Sequence, residues 1–116
     1  MNLEQHHARM TAGRQRQAAG HLLEADQQRD FNESVAIVRA EHTPRFWKLL
    51  HKKAQSGLDA TEEAALETSR DLLAIDQEHV HRDLADLRTY NGLKAQGGAH
   101  ENFKKSNRRL FAECRE

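Results

Sequence analysis

Residues 59–91 read DATEEAALETSRDLLAIDQEHVHRDLADLRTYN, an acidic stretch without proline or glycine. Leu66, Leu73, Val80 and Leu87 recur in it at every seventh position. Apolar residues with this spacing form one stripe along a helix, and such a stripe packs against another helix. The stretch therefore predicts one long central helix over about residues 59–91, around which the rest of the fold is arranged.

Capping residues and turn residues predict where the helices begin and end. A threonine followed by proline, or an aspartate with a glutamate three positions later, is typical of a helix start, whereas glycine is typical of the position after a helix end. The predicted starts are Thr43 with Pro44 and Asp59 with Glu62, and the predicted ends are Ser56 with Gly57 and Asn91 with Gly92. These boundaries place a short helix before the long one.

Both ends of the chain are predicted to be helical as well. For residues 1–41 the sequence allows one long helix with a kink or two helices broken near Asp30, and we favour the continuous helix, with a frayed N-terminus over residues 1–10. After Gly97 and Gly98 a last helix follows. Its apolar residues, at helical spacing, are Phe103, Leu110, Phe111 and Cys114.

Composition predicts an all-α fold with a small core. Residues that favour helices, such as alanine, leucine, glutamine and glutamate, are abundant, whereas β-branched and aromatic residues are scarce. Only 22 of the 116 residues are leucine, isoleucine, valine or phenylalanine, so the apolar surface available for one core is limited. We therefore predict an antiparallel bundle of four to five helices, a single domain over residues 1–116 that completes its core with a second copy or a partner.

Opposite charges are separated along a chain whose net charge is zero. Residues 58–89 hold nine acidic against three basic side chains, residues 41–57 hold four basic against one acidic, and residues 90–116 hold six basic against three acidic. Antiparallel helices whose surface charges attract one another are the simplest explanation of this pattern. The pattern predicts which helices pair. The ion pairs themselves are expected to add little stability, because an exposed pair contributes under about 1 kcal/mol.

Eight histidines raise the hypothesis of a metal site. On a helical projection Asp76, His79 and Asp83 lie in or beside the apolar stripe, and carboxylates three and four residues from an imidazole are suitable zinc ligands. The alternative, which we favour, is that these polar residues set the register of the bundle by pairing with an arginine from another helix. The candidate partners are Arg14, Arg16, Arg108 and Arg109. No metal or other cofactor is therefore expected.

Basic residues near the C-terminus raise the alternative of a nucleic-acid-associated protein. Lys104, Lys105, Arg108 and Arg109 lie on the last predicted helix, and a phosphate-binding face needs such a concentration of positive charge. However, the chain is neutral overall and contains no recognisable nucleic-acid-binding motif. The simpler explanation is a solvated face, or a complement to the acidic helix.

Other function classes lack the residues that they require. The sequence has no Gly-x-Ser-x-Gly turn and no glycine-rich phosphate loop, and Cys114 lies on an apolar helical face, where a thiol packs as a small hydrophobic group. We therefore predict that the chain is not an enzyme. A lone cysteine fits the reducing cytoplasm. The sequence has no continuous apolar run, so we expect no signal peptide and no membrane span.

The sequence as a whole predicts a non-enzymatic protein-interaction module. It is expected to be a cytoplasmic homodimer that acts as an adaptor, regulator or inhibitor, of the kind found in phages and mobile elements, by docking helical surface on a protein partner. The alternatives are the nucleic-acid-associated protein and, third, a metal-binding helical bundle. The residues predicted to contact a partner are Trp47, Ile75, Leu93, Lys104, Lys105, Arg108 and Arg109.

Overall fold

The computed structural model describes residues 1–112, and all regular structure in this part of the chain is helical. It contains five α-helices and one short 3₁₀ helix. Their bounds are α1 Leu3–Ala18, α2 Ala25–Gln55, α3 Ala60–Leu72, α4 Gln77–Ala95, α5 His100–Ser106 and the 3₁₀ helix Arg108–Phe111. The predicted all-α fold is confirmed. The chain divides into two compact units, unit 1 from Met1 to His42 and unit 2 from Thr43 onward.

Unit 1 consists of α1, a turn, and α2 as far as His42. α1 begins with a capping box, in which the Asn2 side chain accepts a hydrogen bond from the Gln5 backbone and the Gln5 side chain accepts one from the Asn2 backbone. Met10 and Val38 are the buried apolar residues of this unit. A core of this size provides little stability, so polar contacts and close helix packing matter more in unit 1 than in a larger domain.

Unit 2 contains the main hydrophobic core. The end of α2, both helices of the acidic stretch and the 3₁₀ helix contribute to it. Its buried residues are Phe46, Trp47, Leu50, Leu66, Leu73, Val80, Leu84, Leu87 and Leu110. All four residues of the seven-residue repeat are among them, so the repeat identified core-facing positions correctly. The charge pattern has a counterpart as well, because Lys53 Nζ at the end of α2 lies 3.0 Å from Glu63 Oε2 at the start of α3.

The predicted long helix over residues 59–91 is wrong, because this stretch forms two helices with a turn between them. α3 ends at Leu72, and Ala74 follows in the left-handed region with a φ of 54°. The Ile75 N–H donates to the Arg70 carbonyl, and the Arg70 guanidinium donates to the Ile75 carbonyl at 2.9 Å. These contacts satisfy the open backbone groups at the helix end, so the chain can turn while the core-facing positions are kept.

Helix α2 passes through Pro44, so the predicted helix start at Thr43 and Pro44 is also wrong. Proline inside a helix removes one backbone hydrogen bond and costs about 3 kcal/mol. However, the following turn buries Phe46, Trp47 and Leu50 in the core of unit 2, and each such side chain stabilises the fold by about 1.5–3 kcal/mol. Packing therefore outweighs the local preference at this position.

Glycines in the left-handed region decide two other helix ends. Residues 1–41 form neither the favoured continuous helix nor two helices broken near Asp30, because α1 ends before Gly20, which has a φ of 83°. α4 continues through Gly92 and ends before Gly97, which has a φ of 67°. Both predicted boundaries are wrong for the same reason: a glycine can remain helical or take a positive φ, and the sequence does not show which.

The last predicted helix is divided into α5 and the 3₁₀ helix, which carries Leu110 into the core. Cys114, predicted to lie on the apolar face of that helix, is outside the described residues. The single-domain organisation, the frayed N-terminus and the antiparallel arrangement of the helices stay predictions.

Ala74 occupies a position that favours glycine, and we expect Ala74→Gly to raise the free energy of unfolding by about 0.5–1 kcal/mol. Gly20 and Gly97 hold the equivalent position after α1 and α4, and Ala74 is the one non-glycine residue with positive φ in residues 1–112. Chemical denaturation followed by Trp47 fluorescence measures the change. The control is Ala64→Gly in the exposed interior of α3, which should lower stability by about 1 kcal/mol. A similar loss of stability in Ala74→Gly and Ala64→Gly would contradict the left-handed conformation of Ala74.

Candidate functional site

A buried carboxylate of α4 pairs with an arginine of the 3₁₀ helix. Asp83 is 3% exposed and accepts hydrogen bonds from Arg109, Nη1 to Oδ2 at 3.1 Å and Nη2 to Oδ1 at 2.6 Å. The hydrogen bonds to Asp83 raise the pKa of the Arg109 guanidinium above its ordinary value, and the guanidinium carbon lies 5.9 Å from the Trp47 ring centroid. Asp83 thus pairs with Arg109, which is one of the four arginines that the sequence offered as partners; that the pair sets the register of the bundle stays a prediction.

The other two residues of the candidate metal site have separate surroundings. Asp76 caps α4 by accepting a hydrogen bond from the Glu78 N–H at 3.0 Å, and His79 is exposed. Asp83 is bound to Arg109. Among residues 1–112, no group of three or more histidine, cysteine, aspartate or glutamate side chains is placed to hold a metal ion. The structure therefore does not bring these three candidates together as a ligand set.

The apolar candidates for partner contact are largely covered. Trp47 is 9% exposed, and its ring meets the Phe46 ring edge to face with centroids 5.5 Å apart. Ile75 is half-buried and packs against the core of unit 2. Leu93 is half-buried on α4. Little of these three side chains is available to a partner.

Three of the four basic candidates line an open groove of about 350 Å³, hereafter the basic groove. Lys104, Lys105 and Arg108 are exposed along it, whereas Glu101 is the acidic residue at its edge. Phe111 supplies an aromatic face, and the Lys104 ammonium lies 5.4 Å from the centroid of that ring. Three exposed cations beside an aromatic ring form a surface that attracts anionic ligands.

A second groove, of about 230 Å³, lies between α1 and α2 within unit 1, and we call it the hairpin groove. Its lining residues are Arg9, Ala12, Gly13, Arg16, Leu23, Gln27, Asp30 and Phe31. Leu23 and Phe31 are half-buried, whereas Arg16 and Asp30 are exposed at the rim. The groove thus combines an apolar floor with charged edges of both signs.

The close approach of the two helices at the hairpin groove depends on one glycine. A Cβ atom added to Gly13 would lie 2.3 Å from Cδ2 of Phe31 and 2.8 Å from Cε2. Real carbon atoms do not approach so closely without displacement. Gly13 is buried, so its lack of a side chain allows the Phe31 ring to approach α1 closely.

An exposed leucine lies in the turn that follows α1. Leu22 is 96% exposed, and it shares a depression with Arg16 and His21, of which Arg16 also lines the hairpin groove. A single exposed leucine is common on protein surfaces, so Leu22 alone does not mark an interaction site.

The two helices of unit 1 carry opposite net charge. α1 has three arginines against one glutamate, whereas residues 25–42 have four acidic side chains against two arginines. Arg9 crosses between the helices, because its Nη1 lies 3.7 Å from Glu33 Oε2 and 3.4 Å from the Asp30 carbonyl. The surface on either side of the hairpin groove is therefore basic along one wall and acidic along the other.

Comparison of the chain with protein-family models, with curated proteins and with solved structures gives no match. No helix in residues 1–112 combines the length and apolar character needed to cross a membrane.

Proposed function

We propose that the chain is a non-enzymatic protein-interaction module of the cytoplasm, which acts by docking helical surface on a protein partner. The observation that supports this most strongly is the hairpin groove, in which the half-buried Leu23 and Phe31 lie between charged residues of both signs. In this proposal the module serves as an adaptor, regulator or inhibitor, of the phage or mobile-element type, and docks its helical surface on a partner. We assign the groove to a second copy of the chain, so that the module is a homodimer.

Charge complementarity is the reason for choosing a second copy. In a two-fold symmetric dimer the same surface of both copies meets, so the basic wall of one hairpin groove can face the acidic wall of the other. Arg16 of one copy then approaches Asp30 of the second copy, and the reciprocal pair forms on the other side of the axis. An unrelated partner would need matching charges of its own, whereas a second copy has them already.

The small core of unit 1 is a second reason. This unit has 42 residues, and its buried apolar residues are Met10 and Val38. Units near 40 residues usually need a disulfide, a metal or oligomerisation for stability. Packing of two hairpin grooves would cover Leu23 and Phe31 and so add the apolar burial that one copy lacks.

Leu23→Glu tests the homodimer. Each copy would place an unpaired carboxylate in the apolar floor, so we expect the dissociation constant to rise at least about 100-fold, more than about 1.4 kcal/mol per copy. Light scattering across protein concentrations measures molar mass. Ala36→Glu, an exposed position of α2 outside the groove, is the matched control and should leave the dimer intact. A wild-type monomer at every concentration, or a dimer unaffected by Leu23→Glu, would contradict the assignment.

A second candidate function is association with nucleic acid through the basic groove. The supporting observation is the exposure of Lys104, Lys105 and Arg108 around Phe111, which can stack on a base while the cations contact phosphates. Arg109, predicted to belong to the same surface, is instead held by Asp83. The charge offered to phosphates is therefore smaller than the sequence suggested.

Replacement of both Lys104 and Arg108 by alanine tests this candidate. If the basic groove binds phosphates, the double variant should bind single-stranded DNA or RNA more weakly, and the magnitude of the slope of log affinity against log salt should decrease by about 1.4. Lys94→Ala, an exposed cation of α4 outside the groove, should change neither. Absence of any retardation of nucleic acid at low salt would remove the candidate.

A further inference from the structure

Three histidines of unit 1 lie where α1 packs on α2. His6 is 7% exposed, and its Nδ1 lies 3.0 Å from Ser34 Oγ. His42 is 6% exposed, and its Nε2 lies 3.1 Å from Nε2 of His7, which is half-buried. Two imidazole nitrogens therefore face each other from residues that are 35 positions apart in sequence. The proposed docking function does not use this pair.

The geometry of the pair is suitable for a shared metal ion. With metal–nitrogen bonds of about 2.0–2.1 Å, nitrogens 3.1 Å apart subtend an angle of about 100° at the metal, between the square-planar and the tetrahedral value. In the structure the two Nε2 atoms share an N–H···N hydrogen bond, with ring centroids 5.0 Å apart and ring planes 42° apart. A bound ion replaces this hydrogen bond, and the proton between the two nitrogens is released because both ligands must bind as neutral imidazoles through Nε2.

We propose that Nε2 of His7 and Nε2 of His42 together bind a divalent transition-metal ion, which links α1 to α2. Solvent completes the coordination, because no third histidine, cysteine or carboxylate in residues 1–112 is placed to join them. Imidazole ligands suit Cu²⁺, Ni²⁺ and Zn²⁺. The site should bind Cu²⁺ more tightly than either Ni²⁺ or Zn²⁺. His6 is not counted as a ligand, because no group of three such side chains in residues 1–112 is placed to hold an ion.

Metal binding at this position should stabilise unit 1 specifically. The ion bridges two helices, so it binds the packed hairpin and is released when α1 separates from α2. At a free metal concentration of about 100 times the dissociation constant, amide exchange through that opening should slow by about 100-fold. Amides of unit 2 should not respond, because neither ligand belongs to it.

The test uses the full, untagged chain titrated with Cu²⁺, Ni²⁺ or Zn²⁺, with amide exchange of α1 and calorimetric stoichiometry as readouts. His7→Gln and His42→Gln should each abolish stoichiometric binding and the protection of α1, while far-UV circular dichroism confirms that the helices remain. His81→Gln, at an exposed histidine of α4, is the control and should retain both. Paramagnetic broadening of the His7 and His42 ring signals by Cu²⁺ in the wild-type chain supports the assignment without any variant.

Several results would overturn the proposal. Metal binding without a defined number of ions per chain, or equal binding by wild type and His7→Gln, would mean that the other histidines bind metal non-specifically. Broadening centred on His79 and His81 would place the ion on α4. Stoichiometric binding without protection of α1 would show that the ion does not bridge the helices. Homodimer formation is measured separately by light scattering in chelator, so failure of one proposal leaves the other testable.

Discussion

Arg109→Ala is expected to lower the free energy of unfolding of unit 2 by about 3 kcal/mol. Asp83 is 3% exposed, and both of its carboxylate oxygens accept hydrogen bonds from this guanidinium. Truncation of the arginine leaves a buried charge without its partner, which costs more than the pair itself contributes. The Arg109 side chain is 59% exposed, so water screens part of the loss, and the estimate lies at the lower end of the usual range of about 3–5 kcal/mol.

Two controls separate the buried charge from other effects of the substitution. Arg108→Ala removes an exposed arginine from the preceding position and should change stability by under about 0.5 kcal/mol. The double variant Asp83→Leu with Arg109→Met replaces the pair by apolar groups and should recover most of the loss. Urea denaturation followed by Trp47 fluorescence measures all three. An Arg109→Ala variant as stable as wild type would mean that the pair does not hold the 3₁₀ helix on α4.

Gly13→Ala is expected to destabilise the packing of α1 on α2 by about 2 kcal/mol. Alanine favours the helix by about 1 kcal/mol over glycine, but the added Cβ would lie 2.3 Å from the Phe31 ring, and overpacking of this kind costs up to about 3 kcal/mol. The clash is larger than the gain in helix propensity, so the net effect should be a loss. Amide exchange of α1 residues and thermal unfolding followed by circular dichroism measure it.

Gly92→Ala is the matched control, because it makes the same chemical change inside another helix. Gly92 is exposed within α4, and a Cβ added there meets nothing within 4 Å. This variant should therefore gain about 1 kcal/mol. Combination of Gly13→Ala with Phe31→Ala removes the clash, so the double variant should lose less than the sum of the two single losses. A gain of stability in Gly13→Ala would contradict the close helix approach at the hairpin groove.

Periodicity and charge predicted the packing of unit 2 better than they predicted its helix boundaries. Leu66, Leu73, Val80 and Leu87 are all buried because core-facing positions follow the apolar repeat whether or not the backbone is continuous. The turn at Ala74 was missed because alanine, a strong helix former, occupies a left-handed position there. Local propensity contains no information about such a residue when hydrogen bonds across the turn stabilise it.

Only part of the candidate sites could be predicted from the sequence. The pairing of Asp83 with an arginine followed from its place beside the apolar stripe, although four arginines remained candidates. The hairpin groove and the contact between His7 and His42 depend on how α1 meets α2, which a single sequence without tertiary contacts does not show. The signal in the sequence that points to this groove is Gly13, because a glycine within a helical pattern often has a packing reason.

Mixing of charge-reversed variants shows whether the hairpin grooves of two copies pack together. Arg16→Glu places two acidic walls opposite each other in a symmetric dimer, and Asp30→Arg places two basic walls there. Each variant alone should dimerise about 30-fold more weakly, from two reversed pairs of about 1 kcal/mol each. If either substitution weakened dimerisation by destabilising its own chain, mixing the two variants would not restore the affinity, because each chain keeps its substitution.

An equimolar mixture of the two variants restores both pairs between copies. The glutamate introduced in one chain meets the arginine introduced in the other, while the unchanged Arg16 and Asp30 meet on the opposite side of the axis. Sedimentation equilibrium of the mixture should therefore give a heterodimer with about the wild-type affinity. A mixture that stays as monomeric as its components, while the wild type dimerises, would contradict the pairing of hairpin grooves.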